Sequence, residues 1–182
     1  VYVDTSVAAS GDGSLASPFK TIDEGLNLED ADLTVLVAGG TYANEPKYND
    51  ISNGQTLIGS YDSSFTTSNP SATPTIIDMA RLPYVEQKGT FHISSNSFVV
   101  ENLTIQNSST GTHDDTEQGG AIYIRNGSNG ILRGVTFYNG AGVFENGHSI
   151  QNFIIKTLSI VGSWLISVGK INTRIKSLKI RK

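Results

Sequence analysis

Apolar residues in this chain fall in short runs that are bounded again and again by Gly, Asn, Asp, Ser or Pro. The runs are Leu33-Thr34-Val35-Leu36-Val37, Thr56-Leu57-Ile58, Thr75-Ile76-Ile77, Phe91-His92-Ile93, Phe98-Val99-Val100, Leu103-Thr104-Ile105, Ala121-Ile122-Tyr123-Ile124, Ile131-Leu132 and Val135-Thr136-Phe137. Runs this short, rich in β-branched and aromatic residues and punctuated by turn formers, predict strands. One segment departs from the pattern. From Phe19 to Asp30, Phe19, Ile22 and Leu26 fall at helical spacing with Asp23, Glu24 and Glu29 opposite, which predicts an amphipathic helix over about 19–30. No second helix is read, so the expectation is an all-β protein.

Five Asn-Gly pairs (53–54, 126–127, 129–130, 139–140, 146–147) would ordinarily signal hairpins and an antiparallel sandwich. Internal repetition points elsewhere. Glu101-Asn102-Leu103-Thr104-Ile105-Gln106-Asn107 and Arg133-Gly134-Val135-Thr136-Phe137-Tyr138-Asn139 share a charged-small-apolar-Thr-apolar-polar-Asn pattern, and Phe91-His92-Ile93 steps to Ile122-Tyr123-Ile124 over a similar interval. A repeat of this length marks a solenoid, because each coil hides its apolar face only by stacking on the next. In that frame the Asn-Gly pairs are corners, and Asn107 and Asn139 occupy equivalent ones, where Asn tolerates left-handed backbone angles. The expected fold is a parallel β-helix over 1–150, its first coil closed by the 19–30 helix, with 151–182 as a terminal coil or cap.

Composition narrows the classes. The 182 residues suit one domain, and Gly, Ser, Thr and Asn fill 71 positions, too many for a helical bundle. Cys is absent, which excludes disulfide scaffolds, thiolate metal sites and thiol nucleophiles. Charge is segregated: residues 1–150 hold all 17 acids and six basic residues, net −11, whereas 151–182 hold seven basic residues and no acid. An acidic body disfavours nucleic acid as a partner. The uncharged stretch from Thr157 to Gly169 is shorter than the ~20 residues of a spanning helix, so no membrane span is expected. Seven Ile between Ile154 and Ile180, and the alternation in Lys170-Ile171-Asn172-Thr173-Arg174-Ile175-Lys176, favour strands there, while the abrupt change in composition also fits a truncated or frameshifted reading frame. No signal peptide is read at Val1.

Tyr2-Val3-Asp4, Gly11-Asp12-Gly13, Ser17-Pro18-Phe19-Lys20-Thr21-Ile22, Leu26, Thr34-Val35-Leu36-Val37 and Gly40-Thr41-Tyr42 together resemble the opening of right-handed parallel β-helix proteins of the pectin-lyase-like superfamily. Gly119-Gly120-Ala121-Ile122 is similar to one half of the repeat in polymorphic outer-membrane proteins, whose other half, Phe-x-x-Asn, is approximated by Phe137-Tyr138-Asn139. The resemblance implies the fold. For function it implies polysaccharide lyases, glycosidases, phage tail proteins and adhesins alike, so activity has to be argued from sites.

A lyase of the pectate type needs carboxylates for Ca²⁺, a hard cation taking six to eight oxygens, and a Lys or Arg to remove a proton beside the uronate carboxyl. Asp114, Asp115 and Glu117 would be the metal ligands, with Arg125 or Arg133 as base or carboxylate clamp. The superfamily's Arg-x-Pro-x-x-Arg lyase pattern is missing. Asp114-Asp115, Gly147-His148 and Arg174-Ile175-Lys176 follow the order of polygalacturonase motifs, but Ser149 replaces a Gly and the upstream Asn-x-Asp is lacking. Tyr42, Tyr48, Tyr61 and Phe65 could stack on sugar rings or tie loops to the coils. His92, His113 and His148 lack metal-ligand spacing. The function expected is therefore a secreted or cell-surface, adhesin-like solenoid that binds polysaccharide or surface glycans and assembles end to end or into larger arrays. It would need no cofactor. A Ca²⁺-dependent lyase, or less directly a polygalacturonase-like hydrolase, is the alternative.

Overall fold

The computed structural model describes residues 1–28, 30, 32–43, 45, 49–52, 54–80, 91–93, 97–108, 122–124, 129–138, 154–161, 174–175 and 178–181. For 49, 123, 124, 129 and the strands from 154 onward, the backbone alone is described. In chain order the elements are β1 (Tyr2–Val3), α1 (Ile22–Leu26), β2 (Thr34–Ala38), β3 (Gly40–Tyr42), β4 (Asn49–Ile51), β5 (Thr56–Tyr61), β6 (Thr75–Asp78), β7 (Phe91–Ile93), β8 (Ser97–Glu101), β9 (Leu103–Gln106), β10 (Ile122–Ile124), β11 (Asn129–Tyr138), β12 (Ile154–Val161), β13 (Arg174–Ile175) and β14 (Leu178–Arg181).

Every pairing between these strands is parallel. Parallel neighbours cannot be joined by a tight hairpin. Here the chain returns to each neighbour by way of other strands. It runs β2, β3, β4, then β5, β6, β7, then β8, β9, β10, and each set lies on the one before. The first column is β1-β2-β5-β8, the second β3-β6-β9, and the third the separate sheet β4-β7-β10. The long β11 joins two columns, pairing β8 through Asn129–Arg133 and β9 through Thr136–Tyr138. β12 repeats that span on β11, and β13 and β14 lie on β12.

The repeat read from sequence is the register of the coils. Glu101 lies beside Arg133 and Thr104 beside Thr136, a step of 32 residues, and Phe91 lies beside Ile122. Coil length varies along the stack: Thr34 pairs Thr56, Thr56 pairs Val99, and Ile131 pairs Ile154. The strands stay paired in parallel across these differences, with local register shifts between Leu36 and Ala38 and on either side of Arg133.

Stacking builds the core. Val35, Leu57, Val100 and Leu132 are consecutive register partners, each 0% exposed, and Ile155 and Ile175 continue the row by register. Tyr42, Ile77, Ile105 and Phe137 form a second buried row. Each such side chain contributes roughly 1.5–3 kcal/mol by leaving water, so a row is a large fraction of any domain's net stability.

The helix is shorter than the spacing predicts. It begins at Ile22 because Thr21 closes a capping box with Glu24: the Glu24 amide donates to Thr21 Oγ1 at 3.3 Å and the Thr21 amide to Glu24 Oε2 at 2.9 Å. Asn27 caps its other end, and Phe19 is drawn instead into a parallel bridge with Val3. Ile22, Gly25 and Leu26 are its buried face, set against β1, β2 and β4, with Gly25 close to Val3 and Val35.

One Asn-Gly pair departs from the corner reading. Asn129 and Gly130 open β11 in register with Ser97 and Phe98, and a Cβ on Gly130 would lie 2.2 Å from the Phe98 ring. Gly130 leaves room for the ring on the neighbouring coil. The left-handed corners between the first and second columns are instead Ser60 (φ 65°), Asn102 (φ 56°) and Gly134 (φ 63°). Ser60 Oγ donates to the Asn102 carbonyl at 2.8 Å, and the Asn102 amide to the Arg133 carbonyl at 2.9 Å, so the corners are bonded to one another along the stack. Asn107 has the left-handed angle expected of it, φ 57°, and its Nδ2 donates to Asp78 Oδ1 at 2.8 Å on the preceding coil. Asn139 lies outside the described residues.

Candidate functional site

Alternation along the first column turns one set of side chains inward and the other outward. Tyr2, Leu36, Ile58, Glu101 and Arg133 are consecutive register partners in the outward set and are all partly exposed. Thr34, Thr56, Val99 and Ile131 form the neighbouring outward row. The described side chains of this face therefore form a strip that is aromatic and aliphatic over its first coils and reaches the ion pair of Glu101 with Arg133.

A loop at the corner after β5 completes the aromatic end. Asp62 organises it: Oδ1 accepts from the Ser64 amide (3.0 Å), Ser64 Oγ (2.7 Å) and the Thr66 amide (3.0 Å), and Oδ2 accepts from Thr66 Oγ1 and the Thr67 amide, each at 3.0 Å. Asp followed by Ser and Thr at these offsets favours such side-chain-to-backbone turns. The Ser64 hydroxyl first, then the other donors, stabilise the charged form and hold the carboxyl at about 2. The loop is tied to the coils by Ser68 Oγ donating to the Gly59 carbonyl (2.7 Å) and by the Asn69 amide donating to the Ser60 carbonyl (2.7 Å).

This wiring places Phe65 at φ 56°, a left-handed conformation costly for a bulky residue. Phe65 is 8% exposed. Its ring meets Tyr2 edge-on with centroids 4.9 Å apart, and Tyr61 with centroids 6.3 Å apart. Tyr2 and Tyr61 are partly exposed. The cluster thus has a buried support, Phe65, beneath two accessible phenol rings that could lie against a flat ligand.

Tyr61 and Phe65 are brought together as an aromatic pair. Tyr42 is not part of the surface: it is 1% exposed, and its hydroxyl lies 3.1 Å from the Ala38 carbonyl, 3.3 Å from the Val3 carbonyl and 3.3 Å from the Thr5 amide that donates to it. Burial pushes its phenol well above the usual value. Its place on the inward register of β3 sends it into the core, which corrects the expectation that it contacts substrate. Tyr48 lies outside the described residues.

Arg133 stands at the outward end of the strip with 41% of its side chain exposed, its Nη1 on Glu101 Oε1 and Glu101 14% exposed. A guanidinium already engaged with a carboxylate on the neighbouring coil suits a carboxylate clamp or a strut between coils. Arg125, Asp114, Asp115 and Glu117 lie outside the described residues, as do His113 and His148. His92 is a strand residue of β7 with Nδ1 2.7 Å from Asp50 Oδ1 on the adjacent coil. Among the described residues no three His, Asp or Glu group as a metal site. No helix of the described residues is long and apolar enough to cross a membrane.

Sequence reasoning missed Tyr2 and Glu101. Both were within its reach: Tyr2 alternates with the inward Val3, and Glu101 is the charged opening of one repeat, aligned with the opposite charge of Arg133 in the next. It also missed the buried carboxylate of Glu45. That group accepts from the amides of Ile22 (2.8 Å) and Asp23 (3.1 Å) at the start of α1. Burial, with smaller contributions from Asp23 and Glu24, pushes it up to about 7 against those two hydrogen bonds.

No curated protein and no solved structure matches the chain. A family match does extend over residues 6–177, nearly all of it, and the family is described as a protein of unknown function, DUF1565. Family membership and an all-parallel, curled stack of strands agree with a parallel β-helix-like fold. The chain belongs to the DUF1565 family.

Proposed function

We propose that this chain is a binding module of a secreted or cell-surface, right-handed β-solenoid of pectin-lyase-like type, adhesin-like in role, which holds a polysaccharide or surface glycan on the outer strip of its first column. Under this reading α1 caps the first coil and no cofactor is required. The observation that carries it is the contact of the partly exposed rings of Tyr2 and Tyr61 with a strained, buried Phe65 beside the outward strip of the first column. Aromatic faces suit the flat C–H faces of sugar rings, and a strained residue persists only where its surroundings over-determine it.

Affinity electrophoresis through gels containing polygalacturonate, xylan or a soluble β-glucan tests the proposal. Retardation in at least one gel is expected, and Tyr61→Ala should weaken it about five- to tenfold, the equivalent of roughly 1–1.4 kcal/mol. Unretarded migration in all three gels, or retardation indifferent to Tyr61→Ala and Tyr2→Ala, would remove the reading. The lyase alternative rests on the outward, half-exposed Arg133, with Asp114, Asp115 and Glu117 as the Ca²⁺ ligands it would require. It predicts unsaturated product absorbance from polygalacturonate with calcium, lost in Asp115→Ala.

A further inference from the structure

The outer face of the second column differs in chemistry from that of the first. Alternation along β3, β6, β9 and β11 turns Thr41, Ile76, Thr104 and Thr136 outward as consecutive register partners, and all four are at least partly exposed. The neighbouring outward row is Asp78, Gln106 and Tyr138. Where the first column presents rings and aliphatic chains, this face presents hydroxyls, a carboxylate, an amide and a phenol, with successive coils ~4.8 Å apart.

Hydrogen bonds between coils hold the second row in place. Gln106 Nε2 donates to Asp78 Oδ2 at 2.8 Å, while Oδ1 accepts from Asn107 Nδ2 at 2.8 Å and from the Ala80 amide at 3.0 Å. These bonds orient the carboxylate and the Gln106 amide plane without exhausting them. The Gln106 side-chain oxygen has no bond to another described residue, and a carboxylate has about four acceptor positions. Tyr138 stands in register with Gln106 on the next coil, 47% exposed, and its hydroxyl has no partner among the described residues. Of the three large hydrophobics most exposed among the described residues it is the one on a strand, where the pairing of β11 with β9 sets its direction. A phenol ring beside an oriented amide and carboxylate suits a sugar, whose C–H face lies on the ring while its hydroxyls meet the polar groups.

Charge selects the kind of sugar. Among the described residues of the two rows Asp78 alone is charged, and it is negative. A uronate or sulfated chain would meet repulsion there with no cation in either row to offset it, whereas a neutral hydroxyl can donate to the carboxylate.

We propose that the outer face of the second column is a separate binding site for a neutral polysaccharide, with Tyr138 as the stacking ring and Asp78, Gln106 and Thr104 as the hydrogen-bonding groups. The left-handed corners at Ser60, Asn102 and Gly134 divide it from the strip of Tyr2 and Tyr61. The two sites share only the class of ligand, so either can hold without the other.

Affinity electrophoresis through soluble β-glucan, arabinoxylan and galactomannan, beside polygalacturonate, separates them. Retardation is expected in at least one neutral gel, and Tyr138→Ala should weaken it about three- to tenfold. Thr104→Val, which keeps a β-branched side chain in the strand, should weaken it about twofold or more. No retardation in any neutral gel overturns the proposal, as does retardation unchanged by Tyr138→Ala. Weakening by Tyr61→Ala and Tyr2→Ala but not by Tyr138→Ala would keep the first-column strip and remove this site, and the reverse would remove the strip and keep this site. If Tyr138→Ala melts well below the wild type, Thr104→Val takes its place with the same two outcomes.

Discussion

Glu45 is the clearest case of a side chain whose chemistry is set by its surroundings. Its carboxyl sits in the interior over the start of α1, and burial raises it from 4.5 to about 7. The folded chain then keeps a proton that the unfolded chain gives up, so stability should fall as pH rises through roughly 4.5 to 7, by at most about 3 kcal/mol. Asp23, raised chiefly by burial, slopes the same way. Asp62, held at about 2, acts in the opposite sense: its contribution is present at neutral pH and lost only as pH falls toward 2. Urea titrations at pH 5 and 7.5 should show a shallower loss of stability in Glu45→Gln than in the wild type. Equal losses would mean the carboxyl titrates normally.

Strands and helix show how local sequence meets its neighbours. The five-residue α1 is too short to persist alone and holds its shape through the Thr21–Glu24 box and the burial of Ile22 and Leu26. Phe19 fits a helical face by spacing but lies one strand-width from Val3, and the bridge between them wins. In β11, Gly130 is matched to Phe98 on the coil beside it, which is 2% exposed. Gly130→Ala should cost about 1–3 kcal/mol in chemical denaturation, although the same change in an open strand would stabilise. Pairing it with Phe98→Leu should recover part of the loss, whereas strictly additive losses would show that the ring is not what the methyl meets.

Across the full set of coils, stability is a sum of neighbour interfaces, as in any solenoid. β12 covers β11 along both of its halves, so removing 151–182 strips the interface from that strand. The truncated chain should show weaker strand ellipticity and a lower Tm. An unchanged spectrum and melting curve would mean that these residues contribute no coil to the stack.

Periodicity of two, the turn formers between the runs, and the match of Glu101–Asn107 to Arg133–Asn139 carried the all-β, parallel, repeating character of the fold, because stacking demands equivalent residues at equivalent places. Charge segregation was equally plain in the chain. The fate of single aromatics was not. Tyr42 and Tyr61 look alike in sequence, yet one lies on the inward register of β3 and the other follows the left-handed corner at Ser60, so one is core and one is surface. Phe65 reaches Tyr2, more than sixty positions away, only because the Asp62 loop folds back over the first coil. A strand's own pattern dictates which side chains share a face, but what that face meets is fixed by the coil that lands beside it.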